Sequence, residues 1–150
     1  MSPIKLTEIK TSDRLTLAGV IAAPRKPRTA LVWLHGLASS FFKGQILMQE
    51  ISGALLRKNI AYLKFNTRGH DIATQGTKKK KLQGGGFENF TDCIYDIRAM
   101  ITFAKKLGVK SIILAGHSTG ANKALYYTWK TGDRHVKGLI LLGPLSDVVA

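Results

Sequence analysis

Five residues, Gly116-His117-Ser118-Thr119-Gly120, stand directly after the apolar run Ser111-Ile112-Ile113-Leu114-Ala115. This order reads as a strand, a sharp turn and a helix, with Ser118 at the apex. A serine hydroxyl becomes a nucleophile only when a base takes its proton and its oxygen is held exposed. A tight strand-to-helix bend supplies the exposure. It also brings the strand end and the helix start so close that side chains two residues before and after the serine would collide, which gives Gly116 and Gly120 a physical use. The free N–H groups at the start of the helix face the same space. The N–H of Thr119 is therefore a candidate donor to an oxyanion. Gly-x-Ser-x-Gly arises readily by chance in a chain with 15 glycines, so its weight comes from the flanking strand and helix. The alternative role for Ser118 is a plain helix cap after a βα loop.

A second segment suits the same chemistry. Leu31-Val32-Trp33-Leu34 is an apolar run followed at once by His35-Gly36-Leu37. Gly36 lets the backbone bend, and the N–H of Leu37 is the candidate second oxyanion donor. Losing one such donor typically costs about 3 kcal/mol of transition-state stabilisation. Because backbone amides would do this work, the rings of His35 and His117 read as buried packing groups rather than as the base.

At these residues the chain resembles the α/β-hydrolase superfamily. The resemblance spans essentially the whole sequence but only the N-terminal part of that family's domain. It rests on His35-Gly36, on Phe65-Asn66-Thr67-Arg68-Gly69-His70-Asp71, and on the serine turn. The segment from Gly84-Gly85-Gly86-Phe87-Glu88-Asn89-Phe90 to Asp96-Ile97 is similar to the entry of the helix before the nucleophile strand. Gly116 to Lys123 is similar to a group of esterase-like hydrolases. The resemblance implies Ser118 as nucleophile, with Leu37 and Thr119 forming the oxyanion hole, and a small-molecule ester or thioester as substrate. It implies neither metal nor cofactor. In this fold the acid and the histidine follow the serine in the chain. Of the four histidines only His135 does so, and it precedes the last apolar strand, at what should be the opposite end of the sheet. Asp147 lies where a minority of family members keep the acid; its other reading is a loop carboxylate or helix cap. The expectation is a serine esterase that is weak or inactive as these 150 residues. The other class left open is a non-catalytic binding module of the same fold with an anionic partner.

The elements that must position these residues are legible from periodicity. Ile4 to Lys10 and Leu15 to Ile21 alternate around Ser12-Asp13-Arg14, predicting an antiparallel hairpin at a sheet edge. A helix is predicted from about Lys43 to Lys58, with Leu47, Ile51, Ala54 and Leu55 on its inner face. A strand follows at Ile60 to Phe65. The stripe Phe90, Cys93, Ile94, Ile97, Ile101 and Ala104 predicts a helix closed by Gly108. Ala121, Ala124, Leu125 and Thr128 predict the inner face of the helix after Ser118, and Val136 to Leu142 the last strand. Continuous apolar strands alternating with amphipathic helices predict an α/β domain: a mostly parallel sheet with an N-terminal antiparallel hairpin and helices on both faces. The length suits one domain, 1–150, lacking the family's C-terminal strands and helices. The last strand would then be an apolar edge, which predicts a fragment of a longer protein or a dependence on self-association or another partner.

Composition narrows the setting. With 23 Lys and Arg against 9 Asp and Glu, the formal net charge is +14. Lys78-Lys79-Lys80-Lys81 is the densest run, in a long loop from about Thr67 to Gly86 that either borders the substrate site or is a mobile insertion. No aromatics interleave with the basic residues as base-stacking platforms would, so a nucleic-acid partner is not expected. The one cysteine, Cys93, excludes an internal disulfide and fits a reducing cytoplasm. No apolar run is long enough to span a membrane.

Overall fold

The computed structural model describes residues 4–75 and 82–146. Lys5–Lys10 (β1) and Thr16–Ala22 (β2) form the expected antiparallel hairpin, paired from Lys5 opposite Ile21 to Lys10 opposite Thr16. Thr29–Leu34 (β3), Gln45–Arg57 (α1) and Ile60–Phe65 (β4) follow. Thr74–Gln75 (β5) and Leu82–Gln83 (β6) make a two-residue antiparallel ladder. A single 3₁₀ turn, Phe90–Asp92, leads into Cys93–Lys106 (α2). Ser111–His117 (β7), Thr119–Thr131 (α3) and Val136–Leu142 (β8) complete the order.

The main sheet runs β1-β2-β4-β3-β7-β8. β3 is parallel to both β4 and β7, β7 is parallel to β8, and β2 is antiparallel to β4. Burial of alternate residues on opposite faces explains the unbroken apolar run Ala30 to Leu34 in β3. Ala30, Val32 and Leu34 enter the core beneath α2 and α3, with Leu63, Phe65, Ile97, Met100, Leu114 and Ala124. Leu31 and Trp33 face the other way and meet Tyr62, Val20, Ala115 and Met48 of α1. Helices thus cover both faces of a mostly parallel sheet.

Two helix faces differ from their predicted settings. The buried side of α1 runs through Met48 and Ser52, with Ile51, Leu55 and Leu56 packed beside Met48, while Leu47 is 55% exposed and Ala54 is exposed. The stripe is rotated by about one residue, because the docking angle on the sheet, not hydrophobicity alone, selects the inner face. On α3 the buried set is Gly120, Ala121, Lys123, Ala124 and Tyr127, and Leu125 lies exposed. The β5–β6 ladder lies within the long loop; Lys78 to Lys81 lie outside the described residues, as does Asp147.

Parallel strands end at one edge, and the loops after β3, β4, β7 and β8 start there. Crevices at that edge are where open α/β sheets hold ligands. β8 is the outer strand beside β7, and its Ile140, Leu141 and Leu142 are 42%, 36% and 42% exposed.

Candidate active site

The bend at Ser118 is real and costly. Its backbone sits at φ 54° and ψ −129°, between the end of β7 and the first residue of α3. A non-glycine residue held in such a region stores about 1–3 kcal/mol, and strain of this kind concentrates at functional sites. The surroundings hold it there: Ser118 N–H donates to Leu142 C=O of β8 at 2.9 Å, and Ala121 N–H donates to Ser118 C=O at 2.9 Å. A Cβ on Gly116 would run into the Gly120 carbonyl, and one on Gly120 into the Leu34 and His35 carbonyls. Both glycines therefore permit the backbone approach that the sequence implied. Gly120 further lets α3 start against the end of β3.

The loop after β3 meets this bend directly. A Cβ on Gly36 would stand 3.1 Å from Ser118 Cβ and 3.3 Å from the His117 carbonyl oxygen. Leu37 comes next, with its side chain exposed. Thr119 is the first residue of α3, and its buried Oγ1 has no hydrogen-bond partner among the described residues. The fold thus brings Ser118, Thr119 and the Gly36–Leu37 segment to one place at the C-terminal edge of the parallel strands, with Ser118 and Thr119 half-buried.

A polar network, mostly missed from sequence, holds these loops. His35 Nδ1–H donates to Gly36 C=O at 2.8 Å, and its Nε2 accepts Thr67 N–H at 2.9 Å. Burial pushes its pKa down to about 4, so the ring is neutral and both nitrogens are committed. His35 is therefore a brace between the β3 and β4 loops, and the packing role expected for it holds. Asn66 Oδ1 accepts Phe41 N–H at 2.8 Å, and Asp71 N–H donates to Ser39 C=O at 3.0 Å. Arg68 pairs with Asp96 at 2.9 Å and with Asp13 of the hairpin turn at 3.0 Å. Partial burial pushes the Asp13 carboxyl up, but bonds from Thr11 and Arg68 bring it below its ordinary value. Lys123, on the buried face of α3, lies 2.7 Å from Glu88; the two side chains are 1% and 7% exposed. The one sequence signal for Lys123 is its place among Gly120, Ala121 and Ala124, a lysine on an otherwise apolar face.

The remaining histidines divide. His70 is paired with Asp71, and His135 with Asp133, each at 2.9 Å. His135 C=O accepts Ile112 N–H near the start of β7, which puts it at the far end of the sheet from Ser118. His117 corrects an expectation: it is exposed, not buried. As the last residue of β7 it projects past the sheet toward the α1 face, where it borders a cavity with Leu142, Gly36 and Lys64. Among the described residues no histidine nitrogen is hydrogen-bonded to Ser118 Oγ.

A mostly parallel sheet flanked by helices, edged by an antiparallel hairpin and carrying a serine at a strained strand-to-helix bend, has the α/β-hydrolase fold. The chain belongs to the serine aminopeptidase S33 family, whose model matches residues 25–150. Comparison with curated proteins gave no match. Among solved structures, an α/β-hydrolase from Penicillium sp. sh18, GrgF, is similar with a TM-score of 0.74 and 24% identity, over 97% of this chain and 47% of that one. The esterase Pf2001 of Pyrococcus furiosus gives 0.71 and 23%, over 95% and 50%. A putative hydrolase of Agrobacterium vitis S4 gives 0.70 and 24%, over 97% and 54%. The chain thus spans about half the length of the structures it matches.

Proposed function

We propose that this chain carries the nucleophile and oxyanion hole of a serine hydrolase acting on a carboxylic ester or thioester. Ser118 Oγ attacks the carbonyl carbon and gives its proton to a base. The N–H groups of Leu37 and Thr119 stabilise the tetrahedral oxyanion. The alcohol or thiol leaves with a proton, and water then cleaves the acyl-Ser118 ester. The observation that supports this most is the strained Ser118 backbone between two glycines that admit no side chain. No described histidine engages Ser118 Oγ, so the 150 residues by themselves are a weak catalyst, limited to what an oxyanion hole supplies. The esterase names of structural neighbours agree with an ester as substrate. The single reduced thiol, Cys93, buried in α2, fits work in the cytoplasm, and the exposed edge of β8 is a self-association surface.

The test is initial-rate hydrolysis of p-nitrophenyl butyrate by the chain and by Ser118→Ala. Slow turnover that disappears in the variant is the expected result. Rates equal in the two proteins would reject the nucleophile, and fast turnover would reject the weak-catalyst half of the reading. A second reading, a binding module for an anionic partner, is favoured by the +14 charge. It predicts no Ser118-dependent hydrolysis and salt-sensitive binding to polyanions.

A further inference from the structure

A buried lysine outside the serine machinery has no counter-charge among the described residues. Lys64, in β4, is 5% exposed on the α1 side of the sheet. Its ammonium donates to Lys43 C=O, and no carboxylate among the described residues lies within ion-pair distance of it. An ammonium has three donors, and among the described residues only the Lys43 carbonyl accepts from this one. Burying such a cation is costly unless it is paired, and burial indeed lowers its pKa. Lys64 lines a cavity of about 270 Å³ whose wall includes Trp33, Leu47, Met48 and Tyr62 and contains no acidic residue. Lys43 and Gly44 line it too. Gly44 begins α1 without a side-chain cap and with no acidic residue in the first turn, so the positive end of that helix is uncompensated. Gly36 and His117, the neighbours of Leu37 and Ser118, form another part of the wall.

We propose that this cavity is a subsite for the free carboxylate of an amphipathic ligand, held by Lys64, with the apolar body against Trp33 and Met48. The wall is mostly apolar and includes one buried lysine, which matches a singly charged head on a hydrocarbon chain. That the ligand is part of the substrate, an ester bearing a second and free carboxylate, rests on the hydrolase reading above; the anion site itself does not.

The test is a titration of the chain with octanoate and with 1-octanol at equal ionic strength. Emission from Trp33 is followed in a Trp129→Phe background, since Trp129 is 73% exposed and not part of the cavity wall. Octanoate should bind at least about tenfold more tightly than octanol, the scale of one charge-assisted hydrogen bond. Lys64→Met should abolish that preference while leaving octanol binding, and Lys64→Arg should keep it. Equal affinities in the unsubstituted chain would overturn the proposal, as would a preference that survives in a folded Lys64→Met protein. The first comparison needs no variant at position 64. Ser118→Ala should leave the octanoate preference intact, so loss of hydrolysis and loss of anion binding are separable outcomes.

Discussion

Ser118 and His35 show how single positions serve the site by different means. Ser118 stands out because its backbone is held at φ 54°; the strain is local, and the glycines that allow it lie two residues away on either side. Such a feature is legible in sequence. His35 is useful because it is neutral, and nothing local reveals that. Its state comes from burial and from Thr67, 32 residues on. A pKa of about 4 in the folded chain, against about 6.5 unfolded, makes the unfolded chain the better proton binder between these values. The stability His35 contributes is therefore complete above pH 6.5 and is lost as pH falls toward 4, by about 3 kcal/mol at most. Urea unfolding at a series of pH values should show this slope, and His35→Gln should flatten it. An unchanged slope in the variant would assign the loss to other groups. The exposure of His117 is hidden in the sequence for a related reason, since it depends on what covers the α1 face of β7.

At the scale of elements, the strand-bend-helix unit depends on backbone contact more than on side chains. Gly120 touches the carbonyls of Leu34 and His35, so α3 is seated on β3 as well as on β7. Gly120→Ala would force these apart and should cost about 3 kcal/mol or more, because the clash is with backbone that cannot swing away. Gly132→Ala is the control: that glycine has φ +56° and open space around it, and about 1 kcal/mol of left-handed strain is expected. Chemical denaturation of both proteins checks the ranking, and equal losses would contradict the seating. Element existence and order could be read from periodicity, as β3, β4, β7 and α2 show. The rotation of α1 could not, because Leu47 and Met48 are equally apolar and only docking on the sheet selects between them. The Glu88–Lys123 and Asp96–Arg68 pairs were hidden for the same reason: they join residues 35 and 28 positions apart.

Across the whole molecule, the sheet is covered evenly around β3 and β4 and unevenly at β8. Ile140, Leu141 and Leu142 of this outer strand, with Leu145 beyond it, leave apolar surface beside a strand edge that no described strand pairs. Sedimentation velocity should therefore show concentration-dependent association that Ile140→Lys weakens. A monomer at every concentration would remove β8 as a contact surface. Like charges across a +14 molecule oppose this association, so added salt should strengthen it. Hydrolysis by this chain requires Ser118 to present its oxygen as a nucleophile. Incubation with a fluorophosphonate, followed by mass-spectrometric mapping, tests that most directly. Slow, single-site labelling of Ser118 that is absent in Ser118→Ala is the predicted result; a folded chain that stays unlabelled, or is labelled elsewhere, would contradict it.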